Sequence, residues 1–242
     1  FLSGKLDGML TDYPGATLLQ AKGSRLRLVM ETDGSLSLIA SKKSNVRNPD
    51  DLKGKNISVS GNTFVEYATD EVMKRACLHP GEVNKPEINN IPLRLMMLED
   101  GQISASFLPG PATAIALNNG HTALLNTRQM GLRCTGIVFS EKAITEKDEE
   151  IRRFITGYNL GVKYLQTRPQ NEWTEILVKE FGLQEKAAMQ IDLPDYRPAT
   201  RPSYHDIEKI IAWLKSKGAI PDYYPGENLV DTTFIPGTLK PQ

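Results

Sequence analysis

The chain of 242 residues balances 29 Lys+Arg against 29 Asp+Glu, with 40% hydrophobic and 24% charged residues. Such a composition supports one large domain or two lobes of about 100 residues each, and it excludes both a disordered chain and a basic nucleic-acid binder. No run approaches the roughly 18 apolar residues of a transmembrane helix, and Phe1 follows neither a start methionine nor a leader-like apolar stretch, as in a trimmed chain.

In chain order, the short apolar run Leu6–Leu10 predicts a strand, and Thr11-Asp12-Tyr13-Pro14 turns it into a helix over 14–22 that stops at Gly23. Asp12 either caps that helix or meets a ligand. A strand over 26–31 follows. The β-rich run 56–60 ends at Ser60-Gly61-Asn62-Thr63, and a helix over 64–77 carries Phe64, Ala68, Val72, Met73 and Ala76 on one stripe. Thr63 with Glu66 three residues later fits a capping box, and two roles stay open for it: a cap alone, or a cap whose neighbouring N–H groups also receive ligand.

A shift of 97 positions lays Gly4 on Gly101, Leu10 on Phe107, Pro14 on Pro111 and Gly23 on Gly120. The local reading repeats with it: a strand over 103–107, a turn at Leu108-Pro109-Gly110-Pro111, a helix over 111–119 stopped by Gly120, and a strand over 123–125. Two strand–helix–strand steps imply two similar α/β lobes with parallel or mixed sheets, whose ligands bind beyond the carboxyl ends of the strands. The last third reads as helices over 148–166, 170–181 and 204–217, with apolar stripes assigned to the core. A proline-rich stretch, 193–202, links the last two; its Tyr196 either packs on its own lobe or reaches a cleft.

The two cysteines, Cys77 and Cys134, form no metal or redox motif and read as two buried free thiols, a disulfide being the alternative in an oxidising compartment. His79, His121 and His205 read as surface loop residues. No metal site and no cofactor is expected.

Several stretches resemble one family. They are Leu2-Ser3-Gly4-Lys5-Leu6-Asp7 followed by Thr11-Asp12; Asp51-Leu52-Lys53-Gly54-Lys55 before a strand; Phe139-Ser140-Glu141-Lys142, then a helix and Trp173; and Ile211-Ala212-Trp213-Leu214-Lys215-Ser216-Lys217-Gly218. From Phe1 to Pro236 the chain is similar to type II periplasmic solute-binding proteins of ABC importers, in the group that binds aliphatic sulfonates, taurine, nitrate and thiamine-pyrimidine precursors. The resemblance implies a two-lobed type II periplasmic binding protein fold, α/β, with mixed sheets flanked by helices and two crossovers between lobes. Lobe one would take 1–43 and 134–242, lobe two 46–131, with hinge crossovers at 44–48 and 129–134. Family members carry a further strand, helix and strand before the position of Phe1.

By position, the resemblance assigns ligand contacts to Thr11, Asp12 and Tyr13; to Gly34 and Ser35 beside Asp33; to Ser60, Gly61, Asn62, Thr63 and Glu66; and to Pro109 and Gly110. None of these loops holds Arg or Lys, and Asp12, Asp33 and Glu66 tilt the expectation toward a neutral or cationic nitrogenous ligand. The implied protein is a non-enzymatic monomer at the membrane periphery, periplasmic or lipid-anchored, with a small-molecule ligand and with permease and ATPase subunits as partners. Two rivals share the fold: an enzyme related to thiamine-pyrimidine synthesis, and the ligand-sensing domain of a regulator. No His or Cys falls in the assigned loops, which counts against the enzyme.

Overall fold

In the computed structural model, which describes residues 1, 3–189, 191, 193 and 195–235, the elements run β1 (Gly8–Asp12), α1 (Tyr13–Ala21), β2 (Leu26–Thr32), β3 (Leu36–Ala40), β4 (Ile57–Ser58), α2 (Phe64–Arg75), α3 (Ile91–Asp100), β5 (Ala105–Pro109), α4 (Gly110–Asn118), β6 (Thr122–Asn126), β7 (Thr135–Ser140), α5 (Glu141–Glu146), α6 (Asp148–Thr167), α7 (Gln170–Phe181), α8 (Glu185–Met189) and α9 (Tyr204–Ser216). Three residues that entered the sequence reading, Leu2, Pro194 and Pro236, lie outside the described residues.

Both strand–helix–strand steps are present, β1-α1-β2 and β5-α4-β6. Neither step pairs its own two strands. One sheet has the order β1-β7-β2 and the other β4-β5-β3-β6, so a strand antiparallel to both members separates each pair. The inserted strands, β7 and β3, each follow one step and join the sheet of the other. Where β2, β7 and β1 meet, Gly136 is required by space: a Cβ there would lie 2.6 Å from Met30 O.

The chain divides into one unit of Phe1–Gly34, Arg133–Thr167 and Asp195–Gln242, and a second of Ser35–Leu132 and Arg168–Pro194. Residues 35–43, expected in lobe one, fall in the second unit, where β3 pairs with β5 and β6. The chain passes into that unit directly after β2, so 44–48 lies inside it rather than at a crossover. Helices α7 and α8 also join the second unit, where α8 packs on α4. The first unit's core gathers Val29, Met30, Ile137, Phe139, Ile151 and Ile155; the second's gathers Ile39, Ile88, Leu98, Ile103, Leu108 and Ala112.

Local chemistry explains most helix starts. Asp12 caps α1 by accepting from Gly15 N at 2.7 Å, Asn90 caps α3 through Leu93 N, and Ser203 caps α9 through Asp206 N. The stripes of α6 and α7 are only partly core: Ile151, Ile155 and Val162 are buried, whereas Phe154, Leu160, Tyr164 and Ile176 are exposed. A 20-residue helix covering one sheet cannot bury every apolar position when its register drifts around the axis.

Candidate functional site

In the first unit, β2 ends in the buried polar residues Glu31 and Thr32, and the next residue, Asp33, is buried too. Burying two carboxylates is costly unless charge and hydrogen bonds compensate, and here both are compensated. Arg197 donates Nη2 to Glu31 Oε1 at 2.6 Å, Nε to Asp33 Oδ1 at 2.8 Å and its backbone N–H to Asp33 Oδ2 at 2.7 Å. Arg133 Nη1 donates to Asp33 Oδ1 at 2.5 Å. Tyr13, fully buried, donates its hydroxyl to Glu31 Oε2 at 3.0 Å; burial and then the Glu31 charge push that phenol far above its ordinary value. Nearby, the Tyr158 hydroxyl is sealed from solvent with no hydrogen-bond partner, and burial followed by the Asp33 charge pushes it up to about 12. Two carboxylates and two guanidiniums leave this cluster neutral.

In the second unit, the parallel strands β4 and β5 run out toward three helix starts. Before α2, Ser60 Oγ donates to Asn89 Oδ1 at 2.7 Å, and Thr63 Oγ1 donates to Ser60 O while accepting from Val65 N. Asn62 takes a left-handed φ of 55°, and its N–H donates to Glu66 Oε2 at 2.7 Å. Glu66 also pairs with Lys85 at 3.4 Å, and Lys85 with Asp70 at 2.7 Å. Before α4 the arrangement differs. Its N-cap is Pro109, no side chain caps the helix, and a Cβ added at Gly110 would meet no atom within 4 Å. Uncapped helix N-termini present N–H donors and a partial positive charge suited to anions. On the strand that leads into α4, Phe107 O accepts from Arg94 Nη1 of α3 at 3.1 Å, and Arg94 is 3% exposed.

A family model described as NMT1/THI5 like matches residues 2–172. The chain belongs to the NMT1/THI5-like family. A search of curated protein sequences returns no match. Among solved structures, the NMT1/THI5-like chain is similar to the alkanesulfonate-binding protein SsuA from Xanthomonas axonopodis pv. citri bound to MOPS, at 18% identity and a TM-score of 0.76, covering 91% of this chain and 78% of that one. It is also similar to the periplasmic aliphatic sulphonate binding protein SsuA from Escherichia coli, at 14% identity and 0.79, covering 99% and 80%. The desulfurization enzyme DSZB aligns at 11% identity and 0.66, covering 94% and 83%. These likenesses establish the periplasmic binding protein fold, which carries both solute binders and an enzyme.

Within this NMT1/THI5-like fold the expected contacts fall in two places. Thr11, Asp12, Tyr13 and Gly34 lie in the first unit; Ser35, Ser60, Gly61, Asn62, Thr63, Glu66, Pro109 and Gly110 lie in the second. Tyr13 turns inward to Glu31 and is core rather than ligand-facing. Thr11 Oγ1 and Asp12 Oδ1 crowd Gly15, where a Cβ would stand 2.9 and 2.8 Å from them, so side chains already fill the α1 tip. Gly34 sits against Thr135, and Gly61 against Glu87. Glu66 does not close a capping box on Thr63; it reaches one residue further back to Asn62, whose left-handed turn brings that N–H within range. The acids expected to repel an anion are occupied: Asp12 as a cap, Asp33 by two arginines, Glu66 by a backbone N–H and Lys85.

Arg94, Arg133 and Arg197 escaped the sequence reading. A helix start at Asn90-Ile91-Pro92, with an arginine inside the run Leu93-Arg94-Leu95-Met96, was the available signal for the first. His121, expected at the surface, is buried: its Nδ1 accepts from Lys42 N, which makes Nε2 the donor toward Glu99 Oε2 at 2.6 Å. Cys77 is exposed and Cys134 buried, both free. No group of three metal-ligating side chains, and no helix long and apolar enough to cross a membrane, occurs among the described residues.

Proposed function

We propose that this chain is the solute-capturing subunit of an ABC importer, which binds a small sulfonate-like organic solute and releases it unchanged to permease and ATPase partners. The reading rests on the α4 tip: an uncapped helix start with open space at Gly110, set where parallel strands end, is a ready donor array for an oxyanion. With Asp12, Asp33 and Glu66 neutralised or capped, the objection to an anion falls, and sulfonates, taurine and nitrate stand ahead of a cationic pyrimidine. A place outside the cytoplasmic membrane, as a soluble or lipid-anchored monomer, belongs to the same reading. The rival is catalysis, since an enzyme shares the fold. Against it, the Cys134 thiol is buried, and burial, then the Asp206, Asp12 and Glu31 charges, push its pKa well up, away from the reactive thiolate.

A thermal-shift screen of alkanesulfonates, taurine, nitrate and thiamine pyrimidines tests the proposal. A ligand at one hundred times its Kd stabilises the native state by about 2.7 kcal/mol. At least one compound is expected to raise the melting temperature and to be recovered intact by mass spectrometry. Silence across the panel, or a converted product, overturns the proposal.

A further inference from the structure

In the first unit the buried Glu31 and Asp33 are paired with arginines; in the second, among the described residues, the buried Arg94 has no carboxylate partner. Arg94 is 97% withdrawn from solvent at 3% exposure, its Nε is sealed without a partner, and no carboxylate among the described residues pairs with it. A guanidinium stays protonated in proteins, so this charge is buried without a carboxylate partner, a costly state that an incoming counter-charge would relieve. Its position is specific. β4 pairs with β5 only as far as Ser106, and the next β5 carbonyl, Phe107 O, accepts from Arg94. Ser106 Oγ stands 3.3 Å from both Phe107 O and Ser58 O, and the Ser58 hydroxyl is fully buried with no partner of its own. In the turn before α2, Asn62 Oδ1 is likewise sealed and unpartnered. Buried polar groups are nearly always satisfied; Arg94 Nε and Ser58 Oγ are two that are not, and both belong to segments bonded to the end of β5, the strand that leads into α4.

The internal repeat strengthens the point. A shift of 97 positions lays Pro109 on Asp12. In the first copy a carboxylate occupies the helix tip; in the second a residue with no side-chain acceptor stands there, and no side chain caps α4.

We propose that Arg94 is the buried cation of an oxyanion subsite whose other wall is the uncapped N-terminus of α4, so that the second unit selects a singly charged headgroup such as a sulfonate over its neutral isostere. This deepens the solute-capture reading and rests on it. Phe107 precedes Gly110 by three residues and Arg94 Nη1 lies 3.1 Å from Phe107 O, so the charge lies within about 14 Å of the tip, where attraction at an effective dielectric near 20 is worth on the order of tenfold in affinity.

The test titrates the full chain with ethanesulfonate and with neutral ethanesulfonamide at fixed ionic strength. Arg94→Met should weaken ethanesulfonate at least about tenfold and leave ethanesulfonamide unchanged, whereas Arg94→Lys keeps most of the preference. Pro109→Asp, which installs the cap that the first copy has, should weaken ethanesulfonate without lowering the melting temperature, and it decides the matter if Arg94→Met does not fold. Wild-type ethanesulfonate affinity in Arg94→Met or in Pro109→Asp overturns the subsite. Equal wild-type affinity for the two probes also overturns it and leaves solute capture standing; silence toward these and every other solute of the panel overturns both.

Discussion

Replacing Arg197 by Met removes the side chain that ties the proline-rich segment to the end of β2. Glu31 and Asp33 are 6% and 5% exposed. Asp33 would keep Arg133, but Glu31 would keep only the Tyr13 hydroxyl. Breaking a fully buried pair by removing one partner costs about 3–5 kcal/mol. The Arg197 side chain is itself 38% exposed, so water screens part of the interaction and about 2–3 kcal/mol is the expected loss. For a chain of this size that corresponds to a fall in melting temperature of roughly 5–10 °C. Urea denaturation of wild type, Arg197→Met, Asp33→Asn and the double variant measures it, and the cycle should show coupling of at least about 1 kcal/mol. A single variant within about 0.5 kcal/mol of wild type, or strictly additive losses, would refute the claim that this cluster holds the segment in place.

Three further outcomes follow from particular contacts. Gly136→Ala places a Cβ 2.6 Å from Met30 O and 2.7 Å from Leu28 Cδ1, so the three strands must spread; a loss of about 2 kcal/mol or more in urea denaturation is expected, and a neutral substitution would contradict the packing. Lys42 first, then His121, hold the Glu99 carboxyl at about 2, below its ordinary 4.5. Because the folded-state value is the lower one, its stabilisation is complete above pH 4.5 and fades as pH falls toward 2, so the gap between wild type and Glu99→Gln should narrow between pH 6 and pH 2.5; a constant gap would count against it. Finally, a thiol reagent should titrate Cys77 rapidly in the native protein and Cys134 only after unfolding, and two rapid equivalents would contradict the burial of Cys134.

The strand–helix–strand steps were legible because they are local: an apolar run, a proline at the helix start and a glycine at its end encode themselves within 20 residues. Sheet order was not, since nothing near Thr135 or Leu36 announces that each strand inserts between the members of the other step. The same distance in sequence hid the charge clusters. Asp33 looked like a free acid in a loop because Arg133 and Arg197 lie 100 and 164 residues away. His121 looked like a turn residue because Glu99 and Lys42, which bury it, stand 22 and 79 residues away. The capping half of the two roles open for Thr63 and Asp12 was legible because a cap needs only its own first turn.

Titration calorimetry of the wild-type chain with ethanesulfonate, followed by mass spectrometry of the recovered solute, bears most directly on the central claim of reversible anion capture. Saturable heat at one site per chain, with the solute recovered intact, is the predicted result. No saturable heat with any sulfonate, or a desulfonated product, would contradict it.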